Sequence, residues 1–256
     1  MLTSSGVDLT GKIALVTGAG RGLGRHFALA LGEAGAAVAA VGRTRSALEE
    51  TVAMIHAKRG AARAFQGDLT QDGTAASVVA AVNVELGDID ILVNNAGSMR
   101  LGKVATINPA VWWSDFELNV KAPMLLTQAV LPTMISRQSG VIVNITSAAA
   151  DWIVPAASSY IASKAAVDRF TAVLNAELTG TGVLAFLLGP RAATDMTEAL
   201  TTAVAFTAEQ RAMFTKAQAT EPELKLTRSL SLLLRILSGE LDHLAGQHLE
   251  SETPPE

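Results

Sequence analysis

The chain has 256 residues, 49% of them hydrophobic and 17% charged, which supplies a sizeable core and excludes global disorder. Twenty basic against twenty-four acidic side chains leave a formal charge of −4, so no basic field is available for a phosphate backbone and sequence-wide nucleic-acid binding is excluded. There is no cysteine, which excludes a disulfide scaffold, an iron–sulfur site and a thiol nucleophile.

Residues 1–11 carry no basic stretch followed by an apolar block, so no secretory leader is expected. With the absence of cysteine, this makes the cytoplasm the expected compartment. No apolar run approaches the roughly 20 residues of a spanning helix, and no membrane partner is expected. Six short apolar runs read as strands: 13–16, 37–41, 62–65, 89–93, 141–145 and 183–188. They are apolar in character rather than strictly alternating, with Arg63, Asp90 and Asn144 as interruptions, as in strands covered on both faces. Helical stretches lie between them. In 45–58, Leu48, Val52 and Ile55 share a stripe; late in the chain Leu230, Leu233, Leu234 and Leu237 repeat the spacing. The stretch 111–137 reads as helical, with Pro132 expected to kink or end it. Gly35 and Gly60 stand where left-handed helix caps favour glycine. The tail, 251–256, is polar with two prolines and is expected to fray. Strand–helix alternation without a linker predicts one α/β domain, 1–256, built on a doubly wound parallel sheet of about seven strands with helices on both faces.

After the first strand come Thr17, Gly18, Ala19, Gly20, Arg21, Gly22, Leu23 and Gly24. Glycine lets a backbone turn sharply and approach a pyrophosphate held at the positive end of the next helix. No Lys-Ser or Lys-Thr follows, so this is not a Walker phosphate loop. Taken alone, the turn is also compatible with a packing device. In dinucleotide-binding folds an acid about 20 residues on takes the ribose hydroxyls, whereas an arginine there accommodates a 2′-phosphate. Here the second strand runs into Val41, Gly42, Arg43 and Thr44, without a carboxylate. Arg43 and Arg21 are therefore candidates for a phosphate clamp, favouring NADP(H) over NAD(H), the alternative being two solvated surface arginines.

The single tyrosine, Tyr160, is followed four residues later by Lys164, on the same face of a helix. A phenol ionises near pH 10, so a neighbouring ammonium is expected to make it a more useful proton donor or acceptor. Ser147, just past the strand that ends at Ile145, is a candidate to hydrogen-bond a substrate carbonyl that Tyr160 protonates. Each feature alone is weak.

Together, Thr17-Gly18-x-x-x-Gly22-x-Gly24, Asp68, Asn94-Asn95-Ala96-Gly97, Asn119, Ser147 and Tyr160-x-x-x-Lys164 stand in the order of the short-chain dehydrogenase/reductase family, which the chain resembles from about residue 9 to 249. The resemblance implies a Rossmann-type fold with Tyr160 as acid/base. It implies that Lys164 holds the nicotinamide ribose and lowers the phenol's pKa, and that Ser147 polarises the substrate oxygen. Asn119 is implied to link Lys164 to a proton relay through a water. Asp68 and Leu69 match the adenine contact; Asn95, Ala96 and Gly97 match the segment beside the adenine ribose. Thr17, Gly18, Arg21, Gly22, Leu23, Gly24, Arg43 and Thr44 complete the expected cofactor side, with Pro190, Ala192 and Thr194 beside the nicotinamide.

Three departures from the family's pattern stand out. Gly189-Pro190 reverses its usual Pro-Gly, Thr146 replaces a second serine, and its acidic-Gly-Gly ending is missing, which puts the C-terminal packing in question.

The implied activity is NADP(H)-dependent hydride exchange with a ketone or secondary alcohol. The substrate wall is expected from Asp151, Trp152, Ile153 and Val154, and a mobile lid from about 191–220 with Met196 and Leu200 on its stripe. These segments are apolar, which favours an uncharged, largely apolar small molecule. Alternatives are a 3-oxoacyl thioester reductase, which wants a basic docking patch where only Lys103, Arg137 and Arg169 are scattered, and a non-catalytic NADP(H)-binding regulator. No metal is expected, because the four histidines lack ligand spacing and stand away from the Tyr160 segment. Trp112 and Trp113 read as packing or subunit contacts. By family analogy a homotetramer or homodimer is expected.

Overall fold

Seven strands form one sheet: Ile13–Thr17 (β1), Ala37–Gly42 (β2), Ala61–Gln66 (β3), Ile91–Asn94 (β4), Gly140–Ile145 (β5), Val183–Gly189 (β6) and His248–Glu250 (β7). The computed structural model describes residues 6–147, 153–190, 201 and 206–251. The strand order is β3-β2-β1-β4-β5-β6-β7, with every neighbouring pair parallel. Helices Gly22–Glu33 (α1), Arg45–Ala57 (α2), Thr74–Glu85 (α3), Pro109–Phe116 (α4), Ala122–Ser136 (α5), Ser158–Glu177 (α6), Ala208–Ala219 (α7) and Pro222–Leu237 (α8) complete the described elements.

Both faces of the sheet are covered at its centre, which is why β1, β2 and β6 lack the alternation that the edge strand β3 shows. Ala14, Val16, Val38 and Ala40 pack with Phe27 and Leu31 of α1 and with Leu230 and Leu233 of α8. Leu15, Ala39, Val41 and Leu92 face the other way, onto Val78 and Val82 of α3, Leu126 and Met134 of α5, and Leu174 of α6. Because the chain builds outward from β1 through β2 to β3 and then crosses back to place β4 on the other side of β1, the strand order reverses there, and the carboxyl ends of β1 and β4 flank the crevice where such sheets take ligands.

The six strands read from sequence are all present. The seventh strand of the expected sheet, whose place the sequence does not mark, is β7, which pairs Leu187 with His248, Leu188 with Leu249 and Gly189 with Glu250. The missing Gly-Gly ending therefore does not prevent the last strand from docking. The expected helix 111–137 is two helices joined by a single π-turn, Glu117–Lys121. Pro132 neither ends nor interrupts α5, which runs on to Ser136. Pro132 and Gln128 are exposed, so the carbonyl deprived of its donor lies on the watered side. The left-handed residue after α2 is Arg59, at φ 65°, not Gly60. Gly60 is small for another reason: a Cβ there would lie 2.7 Å from Ile55 Cγ2 and 3.1 Å from the Gly32 carbonyl oxygen. Among the described residues, no helix is long and apolar enough to cross a membrane.

Candidate active site

The glycine turn is held shut by Thr17. Its hydroxyl accepts the backbone N–H groups of Asn95 and Ala96, both at 2.9 Å, while the Asn95 amide donates to the Thr17 carbonyl at 2.8 Å. These bonds bind the end of β1 to the end of β4 at the floor of the crevice. Gly18 has φ +67°, and a Cβ on it would meet Asn95 Nδ2 at 2.9 Å and Ala96 Cα at 3.1 Å. A side chain on Gly24 would overlap the Gly18 carbonyl. Helix α1 begins at Gly22 with no acidic residue in its first turn, leaving its positive end clear for an anion. Arg25, which sequence reasoning missed, braces the turn from behind. It donates to the Gly20 carbonyl and, at 3.0 Å, to Thr51 Oγ1, which in turn donates to Ala19 O at 2.9 Å. Gly24→Ala is expected to force the turn open and lower stability by about 1–3 kcal/mol, checked by urea unfolding, with NADPH binding lost in the same variant.

Arg21 caps α1, and Arg43 and Thr44 lead into α2; all three are exposed at the carboxyl end of the sheet. Across from them Asp68 folds over Thr70, accepting its N–H at 3.1 Å and its hydroxyl at 2.8 Å. Those bonds, the hydroxyl's foremost, hold the Asp68 carboxyl below its ordinary range. Leu69 is buried beneath it. The residues thus fit a nucleotide: a side-chain-free cradle, an unopposed helix N-terminus and, exposed at the same end of the sheet, two arginines.

The remaining candidates converge at the carboxyl ends of β4 and β5. Tyr160 and Ser147 are hydrogen-bonded. The Lys164 ammonium lies 5.9 Å from the centroid of the Tyr160 ring and donates to the Ile145 carbonyl at 2.7 Å. Asn119 sits in the π-turn, 1% exposed. Its amide oxygen accepts Ser98 N at 2.8 Å; its Nδ2 donates to Ser98 O and to Ser163 Oγ, each at 2.9 Å. Asn119 is thus anchored directly to the loop after β4 and to α6. Gly97 makes room for both groups, since a Cβ there would lie 3.2 Å from Asn119 Oδ1 and 3.7 Å from Lys164 Nζ.

The electrostatics depart from the expectation in one respect. Burial pushes the Tyr160 phenol above its ordinary value, the Ser147 hydrogen bond pulls it down, and the charge of Asp115 pushes it up. The anticipated acidification by Lys164 does not prevail: burial is the largest influence on the phenol, and the ammonium, over the ring, is engaged by the Ile145 carbonyl. Burial brings Lys164 itself down to about 8, against the opposing charges of Asp168 and Asp115.

Pro190 follows directly on β6, and Ile153 is 97% exposed between Ser147 and α6. Trp152, Ala192, Thr194, Met196 and Leu200 lie outside the described residues, as does most of the first half of the expected lid; its second half contains α7. The expectation for the histidines fails at His248. Its Nδ1 lies 3.2 Å from Asp168, one turn beyond Lys164, and Asp168 also accepts the Thr146 hydroxyl. Thr146 therefore has a partner of its own. Among the described residues no group of side chains has the make-up of a metal site. Trp112 stacks on Phe116, with ring centroids 5.0 Å apart, and donates to Ser158 at 3.0 Å; Trp113 is half-exposed.

This fold and site define a doubly wound nucleotide-binding protein with a serine–tyrosine–lysine group at its crevice. The family model of short chain dehydrogenases matches residues 12–205, and the chain belongs to that family. It is similar to a short chain dehydrogenase of Pseudocercospora fijiensis, 44% identical over 186 residues, covering 72% of this chain and 60% of that protein. It is 41% identical over 175 residues to the ketoacyl reductase HetN of Nostoc, covering 68% of this chain and 61% of that protein. The matched segment thus spans about three fifths of the length of these relatives. A crystal structure of a gluconate 5-dehydrogenase from Burkholderia cenocepacia, in complex with NADP and tartrate, superposes with a TM-score of 0.82 at 27% identity, covering 96% of each chain.

Proposed function

We propose that the protein is an NADP(H)-dependent oxidoreductase that exchanges hydride with an uncharged, largely apolar ketone or secondary alcohol. The observation that carries this reading is the hydrogen bond between Ser147 and Tyr160 beside the buried Lys164, at the rim of the crevice whose floor is the glycine turn. When bound, the nicotinamide supplies the hydride; the protein supplies position and the proton. Ser147 and Tyr160 offer two hydroxyls to one substrate oxygen, so the developing negative charge meets preformed donors. The phenol, which ionises near pH 10 even when free and is pushed higher here by burial, is protonated at neutral pH, the form needed to deliver a proton to that oxygen. Ile153, almost wholly exposed in the segment between Ser147 and α6, supports an apolar substrate.

Arg21 and Arg43, with no acid at the end of β2, support NADP(H) over NAD(H). Replacing Arg43 by Ala is expected to weaken NADPH binding by about 10–100-fold, the worth of a charge-assisted bond, and to leave NADH binding unchanged; fluorescence titration of both nucleotides checks it. The reading as a whole is tested by a matrix of NADH and NADPH against aliphatic, cyclic and steroid-like ketones. Oxidation of NADPH by the apolar ketones is expected; tight NADPH binding with no turnover on any of them would favour a non-catalytic regulator.

The relationship to HetN favours a second reading, reduction of a 3-oxoacyl thioester. Of the basic residues considered for a carrier-docking patch, Arg137 is committed elsewhere: it donates to Ile89 O at 2.7 Å and pairs with Asp90, at the amino end of β4, the opposite end of the strands from the candidate site. Competition between a cyclic ketone and an acetoacetyl thioester separates the two. The exposed Trp113, Met124 and Val173 on α4, α5 and α6 support assembly of this chain into a homodimer or homotetramer.

A further inference from the structure

Asp115 of α4 is completely buried, yet the reaction proposed above makes no use of it. Its Oδ1 accepts the Ser98 hydroxyl at 2.7 Å; its Oδ2 accepts the Arg100 N–H at 2.9 Å and the Ser159 hydroxyl at 2.6 Å. A carboxylate taken out of water costs several kcal/mol unless its oxygens are satisfied in this way. Ser98 and Ser159 would bond equally to an uncharged amide, so the charge itself calls for an explanation.

The placement of the acid supplies one. One turn further on, Asn119 repeats the arrangement, bonding Ser98 on one side and Ser163 on the other. The two contacts to α6, Asp115 to Ser159 and Asn119 to Ser163, are each four residues apart on both helices and form successive rungs. Tyr160 and Lys164 each follow a rung serine by one residue, about 100° further around the helix. The rungs therefore set both the rotation and the axial position of α6 where the phenol and the ammonium emerge. From the sequence Asn119 is expected only as a link to Lys164 through a water, not as a rung; the Asp115 rung holds the first turn of α6, the end that carries Tyr160.

We propose that Asp115 is a positioning residue for the Tyr160–Lys164 pair: its carboxylate clamps the first turn of α6 to residues 98–100 and places a buried negative charge beside the reacting phenol. The proposal rests on the oxidoreductase reading for its catalytic consequence and on the hydrogen bonds for its geometry. The groups that face Tyr160 are Ser147 from the end of β5, Asp115 from α4, and Lys164 on its own helix, itself faced by Asp168, which His248 of β7 pairs. Within this set Asp115 opposes ionisation of the phenol and favours the charged lysine. It helps to keep the proton donor loaded and the ammonium charged.

Because the chain has one tyrosine, the ultraviolet difference absorbance of tyrosinate reports Tyr160 alone. The test titrates the parent, Asp115→Asn and Asp115→Ala, with near-ultraviolet circular dichroism confirming the fold at each pH. Asp115→Asn keeps the size and, with Ser98 turned to accept, the hydrogen bonds, while removing the charge. Its tyrosine midpoint is expected below the parent's. With NADPH and cyclohexanone as probes, the alkaline limb of kcat/KM for reduction is expected to move to lower pH in the same variant, with KM for NADPH unchanged. Asp115→Ala also removes the rung and is expected to lose about tenfold in kcat; where it does not fold, the Asn variant carries the test. A tyrosine midpoint in Asp115→Asn equal to or above the parent's would overturn the proposal, as would an unchanged kcat and pH profile in both variants. The absorbance titration needs no turnover, so failure of the oxidoreductase reading would show separately, as a parent protein that oxidises no NADPH.

Discussion

Tyr160→Phe is expected to bind NADPH as the parent does and to lose about 10²–10⁴-fold in kcat for carbonyl reduction, the usual worth of a positioned proton donor. The substitution keeps the ring and its packing and removes only the hydroxyl that meets Ser147. Ser147→Ala alone should also lower kcat, since one of the two donors to the substrate oxygen disappears. In the double variant the losses should not multiply, because a lone Ser147 cannot supply the proton that Tyr160 carried. Steady-state rates with NADPH and a cyclic ketone measure kcat, and fluorescence titration measures nucleotide affinity. A Tyr160→Phe protein that reduces the ketone at the parent's rate would remove the acid/base assignment, and with it the significance of the crevice rim. Equal losses in kcat and in NADPH affinity would instead make the tyrosine a binding group.

What the sequence reveals and what it conceals follow from how local each feature is. The strands β1, β2 and β6 are legible because burial on both faces leaves unbroken apolar runs. β7 is three residues containing a histidine and a glutamate, and it exists only because β6 offers an edge for it to pair with. Ser147, Tyr160 and Lys164 are legible because the helical period and the end of one strand bring them together. Asp115 is not, since an acid on a helix ordinarily reads as a solvated face; only the packing of α4 against α6 and residues 98–100 buries it. Its spacing of four residues before Asn119, matched by Ser159 before Ser163, was the available signal. The direction of the phenol's shift was hidden for the same reason. A neighbouring lysine is visible along the chain, whereas desolvation and a carboxylate 45 positions upstream are properties of the folded molecule.

Lys164 yields the second large effect, and it is a stability effect as well as a catalytic one. The group is 5% exposed, and burial brings it from 10.5 to about 8. At about 1.4 kcal/mol per pH unit, that gap corresponds to about 3 kcal/mol by which folding disfavours the charged form. Between about pH 8 and 10.5 the unfolded lysine still holds a proton that the folded one has released, so the stability of the parent rises with pH across that window. Below about pH 8 both states hold the proton and the penalty is present in full. Lys164→Met lacks the titrating group. The unfolding free energy of the parent relative to this variant is therefore expected to grow by about 3 kcal/mol from below pH 8 to pH 10.5, read from paired urea titrations. Tyr160 acts in the opposite sense above pH 10, where the folded phenol retains a proton that the unfolded one loses, but both proteins carry it and its contribution cancels in the difference. The variant should also lose about 100-fold in kcat/KM, because the group that fixes the reacting geometry beside Tyr160 is gone. A stability difference that stays flat with pH would mean that the ammonium is solvated rather than held at the Ile145 carbonyl, and the lysine would then be free to leave the phenol's side.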